Sequence, residues 1–224
     1  MARTGGLALA FSLGLLAAAP DPSSIAAEQD CVVVENFAGA KPGELPAGWK
    51  LRKDAGREVY AVTEEDGRRF LRASSRGLGV QAAKQHEWDP NEYPVLRWTW
   101  RPRTFPNGGD ERQSKTNDSA LAVYAVWPHS SVAVKSVKYV WSASVQPGTE
   151  LESSRGLTQV RVLRNGKTGE RGWVEERVNV ADDYRRLFRD QTVPKAAGIA
   201  VLTDADDTNS VAEGDYADFR LCRG

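Results

Sequence analysis

Beyond residue 30, short apolar stretches rich in Val, Trp and Tyr alternate with clusters of Gly, Pro, Asn and Asp, which is the pattern of strands separated by turns. It predicts strands over Val32–Phe37, Arg57–Thr63, Arg69–Ala73, Leu78–Ala83, Val95–Arg101, Ser119–Trp127, Val137–Ser142, Thr158–Arg164, Trp173–Val180, Gly198–Thr203 and Tyr216–Cys222. In Val95–Arg101 the alternation is strict: Leu96, Trp98 and Trp100 fall on one sheet face, and Arg97, Thr99 and Arg101 on the other. Leu121–Trp127 is apolar on both faces, as a strand in the middle of a two-sheet stack would be. One short helix is expected over Asp182–Phe188, with Asp182 capping its first turn and Tyr184, Leu187 and Phe188 on one side. The fold class is therefore all-β: a two-sheet antiparallel β-sandwich of jelly-roll type over residues 28–224, with at most one or two short helices.

The N-terminal segment reads differently. Arg3 precedes the apolar run Leu7–Ala19, too short for the roughly 30 Å of a bilayer core but suited to a secretory signal, with Ser24 and Ala26 spaced as at a cleavage site. Residues 1–27 are expected to be a cleaved signal peptide and the protein to be exported, to the periplasm or beyond. No later apolar run is long enough to span a membrane. In that compartment Cys31 and Cys222 are expected to pair, which would place the first and last strands side by side. Two free thiols are the alternative. A lipidated Cys31 is disfavoured by the acidic and polar Glu28-Gln29-Asp30 before it.

Thirty basic and thirty acidic residues leave no net charge, so the long-range field of a general nucleic-acid binder or a polybasic membrane anchor is missing. No nucleic-acid partner is expected. His86 and His129 are the only imidazoles, and no nucleophile elbow, zinc helix or phosphate loop surrounds either.

Several segments together carry a resemblance: VENFAGAKPGELPAGWKL from Val34, LRWTW from Leu96, GGDERQSKTND from Gly108, VKYVWS from Val137, EERVNVADDYRRLF from Glu175 and TDADDTNSVAEGDYADF from Thr203. Over nearly all of residues 32–222 the chain resembles the exported bacterial proteins grouped as domain of unknown function 3047. The strand after Asp118 departs from that pattern, with Ala-Leu-Ala where a basic residue would precede Val123-Tyr124. The resemblance implies a fold and export but no catalytic residue. The opening and closing strands are also similar to those of carbohydrate-binding jelly rolls, which implies a structural calcium held by Glu35 and Asp218.

Three constellations carry candidate chemistry. Asp204, Asp206 and Thr208 place oxygen side chains at alternate positions, as a calcium loop begins, although Asn209 stands where Gly is expected and Asp215 where Glu is. An Asx-turn closed by its own side chains is the competing reading. The loop Pro106–Asp118 is long for a hairpin and offers Asp110, Glu111, Arg112 and Asp118, either for acid–base work or as a solvated loop with one Asp–Arg pair. Finally, Arg97, Arg101, Lys138, Gln159, Arg161, Glu175 and Arg177 each alternate with a large apolar neighbour, and would tile one Arg-rich outer face if their strands share a sheet. Trp173 or Trp88 could stack on a sugar ring there; cross-strand ion pairs are the bland alternative.

The expectation is an exported, non-catalytic module that binds a glycan or other anionic envelope ligand through Arg97, Arg101, Asp110, Glu111, Arg112, Asp118, Arg161, Trp173, Glu175 and Arg177. A structural calcium at Glu35, Asp204, Asp206 and Asp218 is the only cofactor in view. The alternatives are a polysaccharide hydrolase or lyase acting in the 106–118 loop, and an envelope protein–protein interaction domain.

Overall fold

Trp98 and Trp100 point the same way from one strand, and where they point sets how the two sheets meet. The computed structural model describes residues 30–166 and 172–224, and the leader expected over residues 1–27 lies outside them. In chain order the elements are β1 (Cys31–Glu35), β2 (Trp49–Leu51), β3 (Tyr60–Glu65), β4 (Arg68–Arg76), β5 (Ala82–Trp88), β6 (Val95–Thr104), β7 (Leu121–Pro128), β8 (Val134–Ser142), β9 (Glu150–Ser153), β10 (Thr158–Asn165), β11 (Val174–Asn179), α1 (Val180–Phe188), β12 (Ala196–Leu202) and β13 (Val211–Cys222). One sheet has six strands in the order β11-β6-β13-β4-β3, with β1 also paired to β13; the other has seven, in the order β2-β5-β12-β7-β8-β10-β9. The all-β sandwich is as expected.

The alternation in β6 holds. Trp98 and Trp100 are fully buried between the sheets, 5.7 Å from Tyr139 and 5.6 Å from Trp141 of β8 respectively, as ring centroids. Leu71, Tyr216, Val123, Ile199 and Val201 complete this core. Rings at these separations add to what their area removes from water. A second, smaller cluster of Ala122, Tyr124, Val140, Val160, Ala200 and Leu202 is buried on the other face of the seven-stranded sheet. That is why β7 reads as apolar on both faces.

Five details differ from expectation. The strand expected over Leu78–Ala83 is β5, which begins only at Ala82 and runs on to Trp88. β2 and β9, three and four residues long, are too short to leave a periodic signal. A 3₁₀ turn at Asp54–Glu58 takes the start of the strand expected at Arg57, which begins at Tyr60. β8 and β10 pair in parallel within an otherwise antiparallel sheet. The helix grows directly out of β11, so its cap is Asn179, whose side chain accepts from the Asp182 N–H at 3.0 Å; Asp182 is the capped residue, not the cap.

β13 is the longest strand and the central one. β6 flanks one side of it, and β4 and β1 lie end to end along the other. Cys31 stands opposite Cys222 in the β1–β13 register and the two are bonded, as expected, across a separation of 191 residues. No helix among the described residues is long and apolar enough to cross a membrane. Because the bridge closes so long a loop, replacing both cysteines by serine should lower the unfolding free energy by about 2–4 kcal/mol in urea titrations, with the m-value reporting any change in the unfolded chain.

Candidate functional site

The strands that carry the expected Arg-rich face belong to two different sheets. β6 and β11, with Arg97, Arg101, Glu175 and Arg177, lie in the six-stranded sheet; β8 and β10, with Lys138, Gln159 and Arg161, lie in the other. The single tiled face is therefore corrected to two separate sets, because local periodicity fixes which side a residue faces but not which sheet its strand joins. Lys138 and Gln159 are buried, and Arg161 turns to the Asp183 carboxylate of α1 at 2.9 Å.

On the outer face of the six-stranded sheet most of the guanidinium groups are taken up by neighbouring carboxylates. Arg72, Arg101 and Arg103 converge on the fully buried Asp215 at 3.0, 2.6 and 2.6 Å, and reach Glu65 at 2.6, 2.8 and 2.9 Å. Arg97 pairs with Glu175 at 2.7 Å, and Arg177 is exposed opposite it. Trp173 lies over this lattice, with the Arg68 and Arg101 guanidinium carbons 4.0 and 4.7 Å from its ring centre and Phe70 edge-on at 5.1 Å. Its ring is thus occupied by cations and an aromatic neighbour. The cross-strand reading of this face prevails over the ligand reading.

The calcium set is also divided. Glu35 accepts from Lys84 at 2.6 Å, the Trp49 indole at 3.0 Å and the Phe37 N–H at 2.8 Å. Burial is the largest single influence on this carboxyl and pushes its pKa up, but these donors together outweigh it and hold it below its ordinary value. Asp218, at a bulge with φ 54°, is tied to Arg68. Each of these carboxylates already has its own cation, and the expectation that they join Asp204 and Asp206 around calcium is corrected accordingly.

Two loops the sequence marks separately do meet. Asp118, fully buried at the end of the 106–118 loop, accepts from the Asp207 N–H at 3.2 Å, the Thr208 N–H at 2.8 Å and the Thr208 hydroxyl at 2.5 Å. The Asn107 N–H reaches the Ser210 hydroxyl at 3.2 Å, and the Asp204 N–H bonds to the Ser119 carbonyl at 3.0 Å. Gly109 is required at this junction: a Cβ there would stand 2.8 Å from the Asp118 carbonyl oxygen. At this end of the sandwich Asp118, Asp206 and Asp207 each present an oxygen within 4.8 Å of the others, so the two loops could hold a metal between them.

Beside them are buried charges. Lys138 lies opposite Tyr124 in the β7–β8 register, with its ammonium 3.5 Å from the Ser119 hydroxyl. Burial opposes its charge, but the fields of Tyr124, Asp204 and Glu111 outweigh it and raise the pKa. Glu111 accepts from the hydroxyls of Ser119 at 2.8 Å and Ser142 at 2.5 Å. For Asp204, burial is the main cause of a carboxyl pKa pushed up to about 8; Asp206 and Asp118 add to the rise and Lys138 offsets part of it.

The outer side of the 106–118 loop opens on a cleft of about 700 Å³, bounded by Phe105, Asn107, Asp110, Arg112, Gln113, Thr116 and Ser144. Asp110 is the only carboxylate in its wall. Arg112 binds it at 2.8 and 2.7 Å and, with its own N–H and Gln113, holds the pKa well below the usual carboxylate range. Glu111 and Asp118 lie outside the cleft lining. Phe105, Gln113 and Ser144 carry no local sequence signal for this role. Asp207 could have been suspected from its place beside Asp206.

Fold and site define an all-β sandwich protein with a polar loop-end cleft. The profile described as "Protein of unknown function (DUF3047)" matches residues 47–220, and the chain belongs to that family. No curated protein matches the sequence. Similar solved structures include a family 29 carbohydrate-binding module from Piromyces equi (10% identity, TM-score 0.35, covering 87% of this chain and 90% of that one). Another is the mannan-recognising module TmCBM27 (13%, 0.37, 87% and 98%). A third is the family 11 xylanase of Neocallimastix patriciarum (10%, 0.33, 78% and 99%). At such scores none of them bears on the site.

Two outcomes test the ion-pair lattice. Asp215→Asn strands three guanidinium groups around a buried neutral amide and should cost about 3 kcal/mol or more in urea unfolding. The arginines, Arg72 first, depress the Glu65 pKa from 4.5 to about 2. A depressed carboxylate stabilises the fold fully above its unfolded value and loses that contribution as pH falls through the folded one. Stability should therefore decline between about pH 4.5 and 2, and Glu65→Gln should flatten that decline in thermal melts taken across the range.

Proposed function

We propose that the protein is an exported, non-catalytic module that binds a neutral glycan in the cleft beside the 106–118 loop. The observation that carries this reading is the chemistry of the cleft wall. One ionised carboxylate, a guanidinium, side-chain amides and hydroxyls stand around an open volume with Phe105 at its edge. These groups both donate to and accept from sugar hydroxyls, and an aromatic edge suits the apolar side of a pyranose ring.

Hydrolysis is disfavoured by the same wall. Sugar hydrolysis needs two carboxyls across the substrate, one of them able to carry a proton near neutral pH. The cleft offers Asp110 alone, held ionised by Arg112. An anionic ligand is disfavoured because Arg112 is already neutralised by Asp110 and the sheet-face arginines by Asp215, Glu65 and Glu175. Export rests on the apolar Leu7–Ala19 run and on the Cys31–Cys222 bridge, a bond that persists in oxidising compartments.

The test is a glycan array probed with the disulfide-bonded protein, followed by calorimetry on any sugar retained. Arg112→Ala and Gln113→Ala, both at exposed positions, should each weaken binding by roughly tenfold, the worth of one good polar contact. An empty array together with specific capture of an envelope protein would sink the glycan reading, as would polysaccharide turnover that disappears in Asp110→Asn.

A further inference from the structure

Many carboxylates of this protein are matched to cations, and those left without an ion pair are mostly scattered singly; one group of them is gathered in one place. Among the described residues, no lysine or arginine lies within ion-pair distance of Asp118, Asp204, Asp206 or Asp207, although Lys138 is close enough for its field to be felt at Asp204. Four acidic groups gathered against one buried ammonium leave an excess of negative charge at a place where two of them, Asp118 and Asp204, are withdrawn from water. Buried negative charge in excess of its counter-charge is expensive even where donors solvate part of it, as they do at Asp118.

A second observation is independent of the clustering. Asp204 is 8% exposed, and its Oδ1 is buried with no hydrogen-bond donor. That oxygen stands beside Asp206: a Cβ built on Gly79 would meet Asp204 Oδ1 at 2.4 Å and Asp206 Oδ1 at 2.8 Å. Both carboxylates therefore occupy the space that a side chain at position 79 would need, and Gly79 leaves it to them. An orphaned carboxylate oxygen beside another carboxylate needs either a shared proton or a cation.

We propose that Asp118, Asp204, Asp206 and Asp207 together bind one hard divalent cation, of the calcium type, which fastens the 203–210 loop to the end of the 106–118 loop. The spacing agrees. Oxygen ligands stand about 2.4 Å from calcium, so two ligands of one ion lie no more than about 5 Å apart; the oxygens of Asp118, Asp206 and Asp207 fall within 4.8 Å of one another, and Asp204 stands outside that set of three, on the Asp206 side. The donors are all carboxylate oxygens, with no imidazole or thiolate, which selects calcium or magnesium over zinc or copper. Three of the four sit in one turn of a loop, and a loop adapts to the irregular shell of calcium better than to the strict octahedron of magnesium. Asp118 supplies the rigid side of the site, since its contacts to Asp207 and Thr208 already set the turn.

This site is separate from the glycan reading, and its test uses no sugar. The purified protein is melted in EGTA, in millimolar CaCl₂ and in equimolar MgCl₂, and calcium binding is titrated by calorimetry. Calcium should raise the thermal midpoint by several degrees over EGTA, with one ion bound per chain and a smaller rise in magnesium. Asp206→Asn and Asp207→Asn alter exposed side chains and should fold in EGTA like the parent while losing most of the calcium shift. A midpoint that ignores calcium and EGTA but rises on acidification toward pH 6, with the rise abolished by Asp206→Asn, means that Asp204 and Asp206 share a proton, and overturns the cation. A larger shift in magnesium than in calcium overturns the calcium assignment.

Discussion

The loop end of the sandwich depends on one buried carboxylate. Asp118 takes three hydrogen bonds from Asp207 and Thr208, residues about ninety positions further along the chain. Without it the 106–118 loop and the 203–210 loop would be joined only by the Asn107–Ser210 and Asp204–Ser119 bonds at their margins. With it, Asp207 and Thr208 are tied in as well, and the cleft wall that begins at Phe105 is anchored to the sheet through β7. A charged acceptor facing backbone N–H groups away from water is among the stronger hydrogen-bonding arrangements available to a loop.

The same economy explains how a chain with balanced charges distributes them. Net zero is an average over two unlike regions. On the outer face of the six-stranded sheet Arg72, Arg101 and Arg103 share Asp215 and Glu65, so charge is cancelled locally and the sheet surface is stiffened by paired forks. At the loop end acidic groups accumulate around Asp204 with Lys138 as the nearby buried counter-charge. Composition sees neither region, because it carries no information about which strands adjoin.

What the sequence showed and what it concealed follow from range. The face of Trp98 and Trp100 was legible because period two is a property of one strand, and the Cys31–Cys222 bond because only two cysteines exist. Lys138, Gln159 and Arg161 were assigned to the wrong company because sheet membership is decided by pairings far away in the chain, here by the parallel match of β10 to β8. β2 and β9 were invisible because three or four residues are too few to show a period. Asp110, Glu111 and Asp118 were rightly marked as one loop, yet their fates diverge over eight residues: one lines the cleft, one is buried under hydroxyls, one clamps the opposite loop. Only side-chain direction separates them.

The central position of β13 has a consequence for the order of assembly. β1, β4 and β6 are made early and each presents an unpaired edge until the final strand arrives to fill the gap they share. A chain lacking β13 would keep the seven-stranded sheet but leave the other split into a β11–β6 pair, carrying Trp98 and Trp100, and a β4–β3 pair. Such an interrupted sheet is slow to form and vulnerable to pairing with a stranger. Completion of the six-stranded sheet therefore waits for β13, the latest of its strands in chain order, which acts as its keystone.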